Sequence, residues 1–166
     1  ELIRDVDDIV AGDVYIVQGQ SNAAAVMYNG SSGAYQNDYL RVYSGGYTNS
    51  SSVVSDDQWY YAQGDGNENS GGNAGQWGLA LAKMIKDQFD IPVAIFNGAH
   101  GGQPIEFFQR PEDYDSSTST NYGRLYYRLN KSGLTSYVRA LLWSQGESNS
   151  FVNGLSTDQY KSYFEN

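Results

Sequence analysis

The 166-residue sequence contains no cysteine, a single histidine and only three prolines. Without cysteine the chain can form neither disulfides nor thiolate-ligated metal sites, and its redox compartment is left open. Basic residues are also scarce, since ten Lys and Arg stand against nineteen Asp and Glu and give a net charge of −9. Nucleic acids and anionic membranes bind basic patches, so this charge argues against both as partners. No apolar run approaches the roughly 20 residues that span a bilayer.

The most informative segment is Gly19-Gln20-Ser21-Asn22, which directly follows the apolar run Val14–Val17. An apolar run that ends at Gly and opens into Ser-Asn is typical of a buried strand that turns into a helix. Such a turn places the Ser21 hydroxyl and fresh backbone N–H groups at the carboxyl end of a strand, where open α/β sheets build their sites. Ser and Asn are also preferred helix caps, and on its own the tetrapeptide favours capping.

Two further segments repeat the pattern of a strand followed by a polar turn. The predicted strand Val93–Phe96 leads into a glycine-rich exit at 97–102, and the predicted strand Val138–Trp143 leads into a turn with Gln145 and Glu147. Glycines in such an exit allow the backbone to approach a ligand closely. Three such turns are hard to explain as capping alone, so we expect the three strand ends to converge on one crevice.

Amphipathic helices are predicted between these strands, over Gln76–Phe89 and Tyr122–Lys131, and a further helix is predicted to begin with Thr157 as its N-cap. The buried face of the first is predicted to contain Trp77, Leu81, Met84, Ile85 and Phe89. Alternating strands and helices are typical of a parallel sheet with crossover connections. Because only three strands are evident, and both ends are abrupt, we expect the chain to be an incomplete segment that lacks its C-terminal part.

The three turns resemble known sequence blocks. Gly19-Gln20-Ser21-Asn22, Gly101-Gly102-Gln103-Pro104-Ile105 and Trp143-Ser144-Gln145-Gly146-Glu147-Ser148 are similar, in this order, to blocks of the SGNH hydrolases. The closest resemblance is to their sialate O-acetylesterase and acetylxylan-esterase branch, the SASA-type or carbohydrate esterase family 6-like domains. The resemblance implies a flavodoxin-like three-layer α/β/α sandwich with a parallel sheet. It divides the chain into a lead-in segment, 1–12, and the N-terminal portion of an esterase domain, 13–166.

The same resemblance implies hydrolysis of acetyl esters on sugars such as sialic acid or xylan, without a metal or an organic cofactor. Ser21 would be the nucleophile. The oxyanion would be held by the N–H groups of Ser21 and Gly102, with Gly101 as the alternative, and by the Gln145 side chain. Glu147 lies in the block that some members use to orient the catalytic histidine.

The expected general base is missing from the sequence. A serine hydroxyl needs an adjacent base, most often histidine, but the Asp-x-x-His block of the family is absent. Either His100, the single histidine, is the base, or the base lies on residues beyond Asn166. We also predict that Gln20, Asn22, His100 and Gly101 contact the substrate.

Two segments have more than one interpretation. The aromatic residues Trp59, Tyr60 and Tyr61 would either stack on sugar rings or pack as ordinary strand residues. The oxygen-rich loop 65–71 resembles the spacing of a calcium loop, but Ser70 replaces the expected Gly, so a solvated loop that lines the substrate site is the default prediction.

Composition is consistent with a secreted or periplasmic carbohydrate-active protein, with an acetylated carbohydrate as its partner. Two other functions are alternatives to the esterase. A carbohydrate-binding domain of the same fold would lack a base and perform no chemistry. A glycosidase needs two carboxylates, and Glu147 is the only one at a strand end.

Overall fold

The chain was analysed in a computed structural model that describes residues 7–26, 35–64, 66–112, 117–151 and 154–165. A five-stranded sheet forms its centre. The strands are β1 (Asp13–Gly19), β2 (Leu40–Tyr43), β3 (Trp59–Tyr61), β4 (Val93–Asn97) and β5 (Val138–Ser144). Their order across the sheet is β3-β2-β4-β1-β5. β1 pairs in parallel with β4 and β5, and β2 pairs in parallel with β4, whereas β3 is antiparallel to β2.

Five helices surround the sheet. They are α1 (Ser21–Ala24), α2 (Ser50–Ser55), α3 (Gln76–Phe89), α4 (Asn121–Lys131) and α5 (Thr157–Glu165). Within the described ranges, short 3₁₀ helices lie at Ile105–Phe108, Thr135–Tyr137 and Glu147–Asn149. Across the described ranges, no helix combines the length and apolar character needed to span a membrane.

The sheet is covered on both faces, because side chains alternate along each strand. On one face Val17 packs in a cluster that includes Leu79 of α3. On the other face Ile16 packs in a cluster that includes Leu125 of α4. The three-layer α/β/α architecture is therefore confirmed, with the difference that the sheet is mixed rather than wholly parallel.

The predicted helix α3 has the expected bounds, and its buried face agrees with the prediction only in part. Trp77 and Ile85 of the predicted face pack against the core cluster that includes Leu79 while partly buried. Met84 and Phe89 are 67% and 59% exposed, so their predicted burial is wrong.

The helix approaches the sheet at Gly78, where an added Cβ would lie 3.6 Å from both Ile95 and Val17. Leu79 packs in the core beside Gly78.

The aromatic run Trp59–Tyr61 forms the edge strand β3, as the strand interpretation predicted. The Trp59 ring packs edge-on against Tyr43, with ring centroids 5.3 Å apart, and against Phe96, with centroids 6.4 Å apart. The Tyr60 hydroxyl donates a 2.7 Å hydrogen bond to Asp56.

The start of α5 differs by one residue from the prediction. Thr157 is the first helical residue rather than the cap. Ser156 takes the capping role, since its hydroxyl accepts from the Gln159 N–H at 3.3 Å and its own N–H donates to the Gln159 side chain at 2.8 Å. This reciprocal pair is a capping box.

Candidate functional site

The exits of β1, β4 and β5 lie side by side, because the three strands are adjacent and parallel. We call them the three strand-end turns, and they comprise residues 20–22, 98–104 and 145–149. Backbone hydrogen bonds join them: the Gln20 N–H donates to Ser144 at 3.0 Å, and the His100 N–H donates to Gly19 at 2.9 Å. Segments far apart in the sequence therefore meet at one edge of the sheet.

The buried side chain of Gln20 ties the first turn to the third. Its Oε1 accepts from Gln145 Nε2 at 3.1 Å and from the Ser148 N–H at 3.1 Å, with the Gly146 N–H at 3.5 Å. Gln20 is only 4% exposed. Its side-chain carbonyl oxygen therefore fixes the positions of the two turns relative to each other.

Gln145 is the most extensively bonded side chain of the third turn. Besides Gln20, its Nε2 donates to the Gln103 carbonyl at 3.1 Å and to Asn149 Oδ1 at 2.7 Å. Its Oε1 accepts from the Tyr160 hydroxyl at 2.6 Å. An amide nitrogen carries two hydrogens, so Gln145 can donate to an oxyanion only by releasing a protein acceptor.

Ser21 lies exposed at the start of α1. Among the described residues, its hydroxyl has no hydrogen-bond partner, and neither its N–H nor that of Gly102 has a protein acceptor. The Gly101 N–H is engaged, because it donates to Glu68 Oε1 at 3.3 Å. A Cβ built on Gly101 would lie 3.9 Å from the Ser21 Cβ. Of the two glycines, Gly102 is therefore the one with an N–H available to a ligand.

Glu68 is a carboxylate at the site that the sequence reasoning missed. It reaches the second turn from the loop between β3 and α3, not from a strand end, although this loop had been predicted to line the site. Its Oε2 lies 3.1 Å from His100 Nδ1, but the two groups are not aligned for a hydrogen bond. The His100 ring also stacks on Phe107, with centroids 5.3 Å apart. No hydrogen bond joins His100 to Ser21 in the described part of the chain.

Asn22 and Glu147 link the first and third turns on the exposed side. The Asn22 amide donates to the Glu147 carboxylate, and the Asn22 carbonyl accepts from Trp77 Nε1 of α3 at 2.7 Å. Both Asn22 and Glu147 are exposed. They are therefore accessible to a ligand beside Ser21.

A buried arginine lies beneath the second turn. Arg128 of α4 is 1% exposed, and its Nη2 donates to the Asn97 carbonyl at the end of β4 at 2.8 Å. Burial, and secondarily the charge of Arg124, lowers the pKa of Arg128 to about 10, and Asp56 opposes this shift. The guanidinium supports the base of the turn from inside the protein.

An apolar cavity of about 450 Å³ lies between the sheet, α4 and α5. Its walls include Gln18 and Trp143 but neither Ser21 nor Gly102. It is therefore separate from the three strand-end turns.

In the described ranges, no group of three or more His, Asp or Glu residues could hold a metal ion. Asp65, the first residue of the calcium-like spacing, lies outside the described residues. The Asn67 side chain accepts from the Asn69 N–H at 2.9 Å, and the Asn69 side chain accepts from the Thr48 N–H at 2.9 Å, so both side chains already bind protein donors.

The mixed five-stranded sheet with helices on both faces is consistent with the fold of the SGNH-like esterases. The chain belongs to the carbohydrate esterase family described as sialic acid-specific acetylesterase, whose model matches residues 11–166. No curated protein matches the sequence.

Two solved structures share the fold. A protein from Arabidopsis thaliana is 21% identical, with a TM-score of 0.56, over 85% of this chain and 60% of its own. A carbohydrate acetylesterase from Xanthomonas citri is 20% identical, with a TM-score of 0.53, over 86% of this chain and 34% of its own. The chain thus spans about 60% and about a third of their lengths.

Proposed function

We propose that the protein is a serine esterase that removes O-acetyl groups from carbohydrates through an acetyl-serine intermediate. The observation that carries the proposal is the exposed Ser21 hydroxyl next to the second turn; among the residues that the structure describes, neither this hydroxyl nor the Gly102 N–H has a hydrogen-bond partner. A nucleophile beside preorganised N–H donors is the arrangement that acyl transfer requires.

In the proposed mechanism, Ser21 Oγ attacks the acetyl carbonyl while a histidine takes the hydroxyl proton. The negative oxygen of the tetrahedral intermediate accepts hydrogen bonds from the N–H groups of Ser21 and Gly102. Gln145 contributes a further donor when it exchanges a protein acceptor for the oxyanion. The intermediate collapses as the sugar oxygen takes the proton from the histidine, and water then releases acetate by the same steps.

Two histidines are candidates for the base. His100 is the only histidine among these 166 residues, and Glu68 beside its Nδ1 is the kind of partner that orients a catalytic imidazole. The family resemblance favours a histidine outside these residues, which Glu147 would orient. Replacement of His100 by Gln distinguishes them, because loss of the base should lower turnover by about 10² or more.

The substrate is proposed to be an acetylated carbohydrate, a sialic acid or a polysaccharide such as xylan. Asn22, Gly101 and His100 would contact the sugar around Ser21, and Gln20 would act from beneath by holding the turns together. A secreted or periplasmic location remains part of the proposal, since such substrates are extracellular.

A non-catalytic carbohydrate-binding domain of the same fold is the second candidate. The observation that favours it is the Ser21 hydroxyl, which has no base aligned with it among the described residues. Such a protein would bind acetylated sugars and release no acetate.

The test is acetate release from 4-nitrophenyl acetate and from acetylated xylo-oligosaccharides, by the parent protein and by Ser21→Ala. The esterase predicts turnover in the parent and near-complete loss in the variant, with an acetyl group on Ser21 after rapid quenching. Ser136→Ala is the matched control, since Ser136 is exposed and distant from the three strand-end turns. Sugar binding without turnover in the parent would instead support the binding domain.

A further inference from the structure

The Gln145 side chain is held at both ends of its amide. At the nitrogen end, three acceptors surround Nε2: Gln20 Oε1 at 3.1 Å, the Gln103 carbonyl at 3.1 Å and Asn149 Oδ1 at 2.7 Å. The nitrogen has only two hydrogens, so the three acceptors compete for them. An oxyanion can therefore replace one acceptor at a lower cost than if each acceptor had its own hydrogen, provided that the amide keeps its position.

Tyr160 of α5 holds the oxygen end of the same amide. Its hydroxyl lies 2.6 Å from Gln145 Oε1 and 3.0 Å from the Gln145 main-chain carbonyl. The indole N–H of Trp143 can only donate, and it donates to the Tyr160 oxygen at 3.0 Å. The hydroxyl hydrogen of Tyr160 is therefore available to Gln145, and the shorter distance favours Oε1 as its acceptor.

These bonds form a chain with a single direction. Trp143 donates to Tyr160, and Tyr160 donates to Gln145 Oε1. Gln145 Nε2 in turn donates to Gln20 in the first turn. Each bond in such a chain polarises the next, which makes the last N–H a better donor. The Phe164 ring of α5 packs edge-on against Trp143, with centroids 5.5 Å apart, and supports the start of the chain.

We propose that Tyr160 is a positioning residue of the esterase site, which fixes Gln145 Oε1 so that Nε2 can exchange a protein acceptor for the oxyanion without the side chain turning away. The inference rests on the proposed function, in which Gln145 is an oxyanion donor. It adds a residue from α5, outside the three strand-end turns. In this role Tyr160 acts through Gln145 and not on the substrate.

Tyr160→Phe tests the inference, because it keeps the ring and removes only the hydroxyl. One neutral hydrogen bond contributes about fivefold to an equilibrium constant. We therefore expect kcat and kcat/KM for 4-nitrophenyl acetate both to fall about fivefold with KM unchanged, since the oxyanion is present only in the transition state. An unchanged kcat would overturn the inference.

Tyr163→Phe is the matched control. Tyr163 lies on the same helix, lines the cavity between the sheet, α4 and α5, and is 36% exposed. The variant should keep the kcat of the parent. A loss equal to that of Tyr160→Phe would mean that α5 affects the site only through its general packing, and it would overturn the inference.

Gln145→Ala distinguishes positioning from a structural role. This variant should itself lose about 10²-fold in kcat as an oxyanion donor is removed. In its background Tyr160→Phe should have no further effect on kcat, because the hydroxyl has no amide left to position. A further fivefold loss in the double variant, or an unchanged kcat in Gln145→Ala, would overturn the inference while turnover that depends on Ser21 leaves the esterase intact.

If the parent releases no acetate, the proposed function fails, and hydrogen exchange at Gln145 Nε2, followed by NMR, decides the inference separately. Exchange about fivefold faster in Tyr160→Phe than in Tyr163→Phe would show that Tyr160 holds the amide. Equal exchange in the two variants would overturn the inference.

Discussion

At the scale of single residues, the candidate site depends on the backbone at Gly102. Its φ of +72° is a conformation that L side chains rarely adopt, but a Cβ there would meet no atom within 4 Å. Among the residues that the structure describes, the Gly102 N–H has no protein acceptor. Gly133, after α4, has nearly the same φ of +75° and equally open surroundings, which makes it a natural control.

We expect Gly102→Ala to lower the free energy of unfolding by about 1 kcal/mol, the cost of a left-handed L residue. The turn would also relax, so kcat should fall by about tenfold to a hundredfold because the oxyanion donor is displaced. Urea unfolding and steady-state kinetics measure the two effects.

Gly133→Ala should show the same loss of stability with an unchanged kcat. If both variants keep full activity, the Gly102 N–H is not an oxyanion donor.

Local sequence patterns assign some residues to the candidate site but not others. Ser21, Gly102 and Gln145 each follow a predicted strand, so the sequence already indicates that they lie at the same edge of the sheet. Glu68 could not be assigned to the site in this way, because it comes from a loop whose path depends on tertiary contacts. The choice between Gly101 and Gly102 also required the structure, since only the contact with Glu68 distinguishes their N–H groups.

At the scale of elements, α4 holds the second turn in place. Asn121, its first residue, donates to the Gly98 carbonyl at 2.9 Å and accepts from Gln18 at 2.8 Å. The start of the helix is capped by Thr120, whose hydroxyl accepts from the Gly123 N–H at 3.0 Å. The cap therefore stabilises both the helix and the connection to the site.

Thr120→Ala should lower the free energy of unfolding by about 1 kcal/mol, because an N–H at the helix start loses its acceptor. Thermal or urea unfolding measures the change. Thr135→Ala is the matched control, since Thr135 is exposed and caps no helix. An equal loss in both variants would mean that the Thr120 cap contributes nothing specific.

Elements with a long apolar or helical pattern were predicted correctly from the sequence. Features that depend on tertiary contacts were not. β1, β4, β5 and α4 follow from apolar runs and helical periodicity. β3 is three residues long and pairs at the sheet edge, so its alternative as a sugar-stacking cluster could not be dismissed from sequence. The orientation of α3 depends on the close approach at Gly78, which periodicity does not reveal.

At the scale of the whole molecule, four tyrosines, one buried and three half-buried, make the free energy of unfolding depend on alkaline pH. Burial, followed by hydrogen bonds to nearby aspartates, raises the pKa of Tyr15, Tyr43, Tyr47 and Tyr60 above the ordinary value of 10.0. The folded state therefore keeps protons that the unfolded state loses above that pH. Their contribution to stability is complete below about pH 10 and is lost as pH rises through the folded pKa values.

We expect the free energy of unfolding to fall as pH rises above about 10 and Tyr43→Phe to make that fall shallower. Arg128 acts in the opposite direction, since its lowered pKa makes its burial less costly above about pH 10. Tyr137→Phe, at a side chain that is 66% exposed, is the control. Identical slopes for the parent and Tyr43→Phe would contradict the prediction.

The position of β1 between β4 and β5 has a consequence for biosynthesis. β1 leaves the ribosome before either strand that will flank it, because Asp13 pairs with Val93 and Gly19 pairs with Ser144. Its apolar run therefore has no paired neighbour until β4 and β5 have been translated, and such exposed strands are prone to aggregate. The turn that holds Ser21 can acquire its neighbours only after β5 has emerged, so a catalytic centre assembled this way would appear late in synthesis.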